Sequence, residues 1–185
     1  MLAGVTGSVL VVGGLIAPAA HAAGWGTTAH PTERTPHCAV WLAPEGSAES
    51  DPEQRCFERF ADAVAHSTDG EVKLAADAGP SALDLDSRAV EASSLLGVLY
   101  DRNGYEGASQ VLNGTGSGCY AGRTYAVNNL NTVGFEDRAN SFKVRSNCLG
   151  RLYSDRDQDG ATHLCEDNCT SLGNMKNRAS SVKFF

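Results

Sequence analysis

The residues of this sequence best suited to chemistry form an acidic loop near its C-terminal end. The stretch YSDRDQDGATHLCE, residues 153–166, satisfies D-x-[DN]-x-[DN]-G-x5-E from Asp155 onward, the pattern of an EF-hand calcium loop. Such a loop supplies oxygen ligands from its positions 1, 3, 5, 7, 9 and 12. The residues at these positions are Asp155, Asp157, Asp159, Ala161, His163 and Glu166.

The segments on either side of this loop do not suit an EF-hand, which needs a helix before and after the loop. RSNCLGRLYS and DNCTSLGNMK contain glycine and cysteine and show no helical stripe of apolar residues. Thr162 also stands where an EF-hand carries an apolar residue. We therefore predict a β-hairpin with a solvated acidic loop. The alternative is EF-type calcium binding by Asp155, Asp157, Asp159 and Glu166.

The sequence carries no recognisable motif for catalysis. It lacks H-E-x-x-H, G-x-S-x-G and a P-loop, and its five histidines are scattered. The glycine-rich NGTGSG has no lysine to hold a phosphate. We predict that the protein is not an enzyme.

The charge balance argues against several classes of partner. Fifteen basic and 22 acidic residues give a net charge of −7 at pH 7, and no basic stripe is interleaved with aromatic residues. Nucleic acid and anionic membranes are therefore not expected as partners. The excess of carboxylates favours solubility outside the cell, or the binding of a cation.

The first 22 residues, MLAGVTGSVLVVGGLIAPAAHA, are uncharged and end in the small-x-small pattern of residues 20–22. This is typical of an export signal cut before Ala23, although no basic residue lies near its start. The apolar run 9–20 is too short to span a bilayer. We predict a secreted, extracellular monomer of residues 23–185.

All six cysteines lie after this signal, and an even number in an exported chain favours three disulfides. Zinc is disfavoured because no C-x2-C pair is present. Cys38 and Cys56, together in the N-terminal half, are predicted to pair and to stabilise the fold by about 3 kcal/mol. The four other cysteines are Cys119, Cys148, Cys165 and Cys169.

A flexible lead-in of residues 23–37, rich in Gly, Thr and Pro, precedes an N-terminal strand-helix extension of residues 38–94. CAVWLA suits a short strand. A helix is predicted from about Pro52, with a second short helix at 89–95. This half has little apolar mass and is expected to pack against another part of the protein. The residues that recur at helical spacing are Cys56, Phe57, Phe60, Ala61 and Val64.

Residues 95–185 consist of short strand-like runs, and they repeat. YDRNGYEG from Tyr100 and YSDRDQDG from Tyr153 both have the form Y-x6-G. Later, DRANSFKV at 137–144 matches NRASSVKF at 177–184. Two copies of a unit that is too small to close a core alone should pair face to face.

Each residue type in the repeat suits a folded-over hairpin. The glycine suits a bend with positive φ, and the tyrosine can lay its ring across that bend. The serine can return a hydroxyl to hairpin backbone groups that the bend leaves unpaired. The residues with these roles are Tyr100, Gly107 and Ser141 in the first unit and Tyr153, Gly160 and Ser181 in the second.

This doubled pattern of an aromatic-x6-Gly hairpin and a later serine segment resembles a βγ-crystallin domain. The resemblance implies a mainly β fold in which two Greek keys, at about 95–146 and 147–185, form a β-sandwich. The whole exported chain also resembles, more loosely, actinobacterial proteins grouped with peptidase inhibitors of the same fold. In those proteins a cysteine-bearing strand and helix precede the crystallin part.

The resemblance also implies a candidate calcium site. Calcium-binding crystallin domains carry [ND]-[ND]-x-x-[ST]-S in each unit, and side chains of one unit combine with hairpin carbonyls of the other. Here the segments are EDRANS at 136–141 and KNRASS at 176–181, and both depart from the pattern. One weak calcium site is therefore expected, using Asp137 and Ser180. The candidate ligands across both segments are Asp137, Asn140, Asn177 and Ser180.

The disulfides of the second half are less constrained by sequence. Cys148 precedes the first strand of the second unit and Cys165 ends the strand that should return beside it, which favours Cys148–Cys165. Cys119–Cys169 would then follow. Cys119–Cys148 is the alternative.

Three functions are compatible with the sequence. The first is an extracellular structural or stress protein that calcium stabilises. The second, which follows from the resemblance, is inhibition of an exported peptidase of the metallopeptidase class, with the loop around Cys119 as the contact. The third is an antimicrobial or toxin-like role, which no residue favours.

Overall fold

The computed structural model describes residues 36–48, 52–83, 90, 93–116 and 118–185. The predicted signal, residues 1–22, and the lead-in up to residue 35 lie outside the described residues. Within the described residues, no helix reaches the length and apolar character of a membrane span. The elements are β1 His37–Leu42, β2 Glu53–Phe57, α1 Phe60–Ser67, β3 Leu95–Arg102, β4 Glu106–Gly114, β5 Tyr125–Val127, β6 Ser141–Val144, β7 Gly150–Tyr153, β8 Thr162–Cys165, β9 Asn168–Cys169 and β10 Ser181–Phe184.

Two sheets form a mainly β sandwich. One has the strand order β2-β1-β4-β3-β6-β9 and the other β5-β10-β7-β8. β5 of the first Greek key belongs to the second sheet, and β9 of the second Greek key belongs to the first sheet. Each sheet therefore contains strands of both units. The predicted fold class is confirmed. The acidic loop lies in the β7–β8 hairpin, where Tyr153 pairs with Thr162, so the hairpin prediction is confirmed as well.

The N-terminal strands extend the first sheet. β1 pairs antiparallel with β2 and parallel with β4. Cys38 lies opposite Cys56 in the ladder, and the predicted disulfide joins them. The placement of Cys56 on a helix was wrong: it lies in β2, and α1 begins only at Phe60. Pairing with β1 satisfies the backbone of residues 53–57, whose side chains are exposed except for the partly buried Phe57.

The second predicted helix, at 89–95, is wrong at its end, because Leu95 opens β3. Leu95 is part of a ladder with β4, which gives its backbone partners that a helix end would not. Of residues 89–92, only Val90 is described. The lead-in also ends earlier than predicted, since His37 already belongs to β1.

The core between the sheets depends on two glycines that the sequence reasoning missed. A Cβ on Gly97 would lie 2.4 Å from the Lys143 carbonyl oxygen and 3.1 Å from the Phe142 and Phe184 rings. A Cβ on Gly150 would lie 2.4 Å from the Phe142 ring. The two phenyl rings meet edge to face with centroids 5.7 Å apart. Each glycine stands three residues before a repeat tyrosine, and that shared position was a usable signal.

The outer face of the first sheet is covered by the N-terminal segment. Phe60 and Val64 of α1, with Leu83, are buried against outward-facing side chains of β3 and β4. The expectation that this half packs against another part of the protein is therefore confirmed. The sheet residues beneath it are Leu95, Val98, Tyr100 and Val111.

The favoured pairing of the last four cysteines was wrong. The disulfides join Cys119 to Cys148, which was the alternative, and Cys165 to Cys169. Cys148 lies before the β7 ladder begins, in a turn where the Ser146 carbonyl accepts a hydrogen bond from the Cys119 amide at 3.0 Å. The chain then reverses after β8, which returns Cys169 to Cys165 within one tight turn.

His37 predicts an acid-sensitive component of stability. Its Nδ1 lies 3.0 Å from Ser109 Oγ, and burial lowers the pKa of this imidazole from 6.5, against an opposing effect of Asp101. The unfolded chain therefore binds this proton at a higher pH than the folded chain does. The stability that neutral His37 contributes is present above about pH 6.5 and is lost as the pH falls toward the lower folded pKa.

We expect the free energy of unfolding, measured in urea between about pH 7.5 and about pH 5, to fall less steeply in His37→Gln than in the parent protein. His163→Gln, on the partly exposed β8, is the matched control for the substitution itself. An unchanged slope in His37→Gln would show that His37 is not the group responsible.

Candidate cation site at the paired loops

Two folded hairpins frame the candidate site, and each is closed by the serine of its own unit. Ser141 Oγ accepts a hydrogen bond from the Tyr105 amide at 3.0 Å and donates one to the Arg102 carbonyl at 2.6 Å. Ser181 Oγ does the same with the Gln158 amide at 3.1 Å and the Asp155 carbonyl at 2.7 Å. Each serine thus bonds to backbone groups of the hairpin in its own unit.

The repeat glycines and the first repeat tyrosine lie at the bends of the hairpins. Gly107 and Gly160 have φ of 79° and 78°, and a Cβ on either would collide with the side chain of residue 101 or 155. The Tyr100 ring contacts that of Tyr105 in the bend, with centroids 5.6 Å apart. Burial raises the pKa of the Tyr100 hydroxyl.

The residue after each tyrosine has a function that the sequence reasoning missed. Asp101 Oδ1 accepts a hydrogen bond from the Ala108 amide at 2.8 Å, and Ser154 Oγ accepts one from the Ala161 amide at 2.9 Å. Both oxygens hold the return strand of a hairpin. Asp101 also pairs with Arg138 at 3.1 Å. A short oxygen-bearing side chain after each tyrosine was the available signal.

The two loops that carry the candidate ligands hold each other by matching bonds. The Asp137 amide donates to the Ala179 carbonyl at 2.9 Å, and the Asn177 amide donates to the Ala139 carbonyl at 3.0 Å. Asp137 and Asn177 both have left-handed backbones, with φ of 55° and 53°. The two loops are thus related by an approximate two-fold axis. This symmetry creates two equivalent candidate cation positions, and each position is formed by groups from both loops.

At the first position an amide group stands among the oxygens. Asn140 Nδ2 donates to the carbonyl of Asp101 at 2.7 Å, to the carbonyl of Arg138 at 3.1 Å and to Asn177 Oδ1 at 2.6 Å. Backbone carbonyls and side-chain oxygens of this kind are also the ligands that a hard cation such as calcium prefers. Because the two hydrogens of the Asn140 amide are already shared among these three acceptors, and no carboxylate takes part, this position does not suit a cation.

At the second position the repeat places a different set of groups. The equivalents are the Asp137 carboxylate, the Ser180 hydroxyl and the carbonyls of Ser154 and Arg178. The Ser180 amide donates to the Tyr153 carbonyl at 2.9 Å, as the Asn140 amide does to Tyr100 at 2.8 Å, which supports the equivalence. All four groups offer oxygen, and one is anionic, so this set suits calcium better than the first.

The charges near the loops favour the second position. Glu136 precedes Asp137, whereas Lys176 precedes Asn177 in the first set. Arg156 holds Glu136 in an ion pair at 2.9 Å, which partly offsets that carboxylate. A lysine beside a divalent cation repels it, so the second position has the more favourable potential.

The EF-like residues lie in the loop and turns at the ends of the β7–β8 hairpin. The Asp157 amide donates to the Asn128 carbonyl at 2.8 Å, which ties the loop to the neighbouring chain. Glu166 follows the far end of β8 and is separated from Asp155 by that strand. Among the described residues, no group of three or more His, Cys, Asp or Glu side chains is arranged to hold a metal.

The structural comparison finds βγ-crystallin domains. A domain from Clostridium beijerinckii matches at 25% identity, with 49% of this chain and 97% of that chain covered and a TM-score of 0.40. A beta gamma crystallin from Ciona intestinalis matches at 20% identity over 46% and 94% of the chains, with a TM-score of 0.38. A double mutant of clostrillin in complex with nickel matches at 24% identity over 49% and 97%, with a TM-score of 0.40.

No family model matches the sequence, and no curated protein matches it. At TM-scores of 0.38 to 0.40 the structural likeness does not carry the assignment by itself. The fold rests on the strand order and on the doubled loop geometry described above.

Proposed function

We propose that the protein is an exported, non-enzymatic βγ-crystallin-like protein that binds one calcium ion weakly and is stabilised by it. The observation that supports this proposal is the difference between the two equivalent positions. The Asn140 amide occupies the first, whereas the repeat assigns the Asp137 carboxylate and the Ser180 hydroxyl to the second. The three disulfides are compatible with an extracellular location.

The affinity should be low because the second position has a single carboxylate. Calcium sites are tuned by the number of charged ligands and by rigidity, and extracellular modules bind with dissociation constants of about 10⁻⁴–10⁻³ M. Ser180 is 7% exposed, and its backbone is fixed by its bond to Tyr153, while Asp137 is exposed. We expect a dissociation constant in that range.

Calcium at ten times its dissociation constant should raise the free energy of unfolding by about 1.4 kcal/mol. Asp137→Asn should abolish this stabilisation because it removes the only carboxylate of the second position. The measurement is thermal unfolding of the oxidised protein in EDTA and in millimolar calcium. Asp155→Asn is the matched control, with the same charge change in the acidic hairpin.

Ser180→Asn separates the effect of charge from that of geometry. It copies the amide of the first position into the second without altering the net charge, and it should also lose the calcium response. If Asp137→Asn retains the response and Asp155→Asn loses it, the hairpin loop is the site and the proposal fails. A parent protein that calcium does not stabilise also contradicts the proposal.

A second candidate function is inhibition of an exported peptidase, and one observation favours it. Tyr120 is 46% exposed on a loop that the Cys119–Cys148 disulfide fixes to the β6–β7 turn. With Leu149 it borders a cavity of about 570 Å³. Residues 120–122 form a compact turn, so Tyr120 would serve as an inserted anchor and not as part of an extended, substrate-like strand.

If this second function is real, Tyr120→Ala should weaken inhibition of a susceptible exported metallopeptidase by about tenfold to a hundredfold, as loss of an aromatic anchor does. The measurement is the inhibition constant against a panel of such peptidases. Arg55→Ala, exposed on β2, is the control and should inhibit as the parent does. Equal inhibition by the Tyr120→Ala variant would exclude the loop as the contact.

A further inference from the structure

Among the described residues, no helix covers the outer face of the second sheet, whereas α1 covers the equivalent face of the first. Gly150 and Phe184 face the core, so their neighbours along β7 and β10 face outward. The backbone bonds between Leu149 and Phe185, at 2.7 and 3.1 Å, extend the ladder by one pair. We call these outward residues, together with Leu164 of β8, the β7–β10 face. Its members are Leu149, Arg151, Leu164, Lys183 and Phe185.

Three of the five side chains on this face are apolar. Leu149 is 36% exposed and Leu164 is 40% exposed, and Phe185 is partly exposed beside them. Among the described residues, these two leucines and Tyr120 are the exposed large hydrophobic side chains. Exposed apolar side chains gathered on one face, and not scattered singly, mark interaction sites.

The face also carries the positive charge of Arg151, which pairs with no carboxylate among the described residues. Arg151 lies directly opposite Lys183 in the ladder, an arrangement of like charges that is unfavourable. Lys183 Nζ is paired with Glu45 Oε2 at 2.7 Å. Arg151 stacks on the Phe185 ring at 4.8 Å, and no carboxylate among the described residues pairs with it. A carboxylate brought to Arg151 would relieve the repulsion.

On the first sheet, the equivalent outer face is covered by a helix. There, α1 lays Phe60, Ala63 and Val64 across β3 and β4, and these three side chains are at most 2% exposed. A short amphipathic helix thus covers one outer face within the same chain. The strands of the second sheet are shorter, with three residues in β5 and four in each of β7, β8 and β10, so a helix as short as α1 is long enough to span them.

We infer that the β7–β10 face binds an acidic amphipathic helix of a partner protein. The apolar side of that helix would cover Leu149 and Leu164, and a glutamate or aspartate beside it would pair with Arg151. This interaction is independent of the calcium proposal, since the face lies on the β7 and β10 strands and not at the paired loops.

The test is an NMR titration of the full oxidised protein with a capped synthetic helix of repeating leucine and glutamate, and with a counterpart in which lysine replaces every glutamate. We expect the amide signals that move to belong to residues 149–153, 162–165 and 182–185. We expect the lysine peptide to bind at least about tenfold more weakly, because charge complementarity sets specificity.

Two variants sharpen the result. Arg151→Gln should weaken binding of the acidic peptide by about tenfold, and Leu164→Ser should weaken both peptides. Arg55→Gln, on the remote β2, is the charge-matched control and should bind as the parent does. The inference is overturned if no signal moves, if the lysine peptide binds equally well, or if the shifts map to another surface. It is also overturned if sedimentation shows that a second copy of the chain occupies this face in the absence of peptide.

Discussion

Gly97→Ala should lower the free energy of unfolding by about 1–3 kcal/mol or more, the range for overpacking a filled core. The added methyl group would lie 2.4 Å from a backbone carbonyl oxygen, which cannot rotate away as a side chain can. It would also press on both Phe142 and Phe184, whose edge-to-face contact joins the two sheets. The strand would have to move, and the sandwich would open with it.

Chemical denaturation followed by fluorescence would measure this effect. Gly79→Ala is the matched control, because Gly79 has an ordinary φ of −76° and a Cβ there would meet nothing within 4 Å. Its stability should equal or slightly exceed that of the parent. A Gly97→Ala variant as stable as Gly79→Ala would show that the core is looser than the distances indicate.

Phe60→Ala should lower the free energy of unfolding by about 3–5 kcal/mol, the usual range for deleting a fully buried phenyl ring. Phe60 is 2% exposed and contacts His37 of β1 and Tyr100 of β3. It therefore joins the N-terminal segment to both the added strand and the first Greek key. Because the loss falls on all three, the protein should still unfold in a single transition.

The control for this variant is Tyr120→Ala, which removes an aromatic ring of similar size from an exposed loop and should change stability by less than about 0.5 kcal/mol. Calorimetry distinguishes the outcomes. A second, earlier transition in Phe60→Ala would mean that the N-terminal segment folds as a separate unit on the sheet. A loss no larger than that in Tyr120→Ala would mean that α1 contributes little.

The architecture could be predicted because the same sequence pattern occurs twice in the chain. Each isolated signal is weak, and the acidic loop alone resembles an EF-hand closely enough to mislead. Tyr153 and Gly160 acquired their meaning from Tyr100 and Gly107, since equal spacing in two places is not expected of a calcium loop. The serine contacts, at Ser141 and Ser181, followed from the same comparison.

The errors arose where a single copy had to be interpreted without a counterpart. Residues 53–64 carry apolar side chains at spacings that suit a helix, yet only the second part forms one. Residues 53–57 form a strand because they pair with β1, which lies earlier in the chain. The spacing of apolar residues within 53–64 could not reveal this pairing. The cysteine pairing failed for a similar reason, because Cys148 belongs to a turn whose position depends on the loop around Cys119.

The two loop segments of the candidate site could be predicted from the sequence, but the difference between the two cation positions could not. The two loop segments were identified from sequence, but the role of Asn140 was not. An asparagine in place of a hydroxyl residue is expected to offer its oxygen to a metal, whereas here its nitrogen faces three acceptors. Which end of an amide turns inward depends on neighbours brought together only by folding.

The parallel pairing of β1 with β4 places a limit on the order in which the protein can assemble. His37 reaches Ser109 across a sequence separation of 72 residues, so β1 cannot take its place until β4 has been synthesised. Closing so long a loop is slow compared with forming a hairpin. β1 and β2 can meet earlier, because their cysteines are 18 residues apart. We therefore expect an oxidised N-terminal hairpin to exist before the sandwich is complete, and to dock last as a preformed piece.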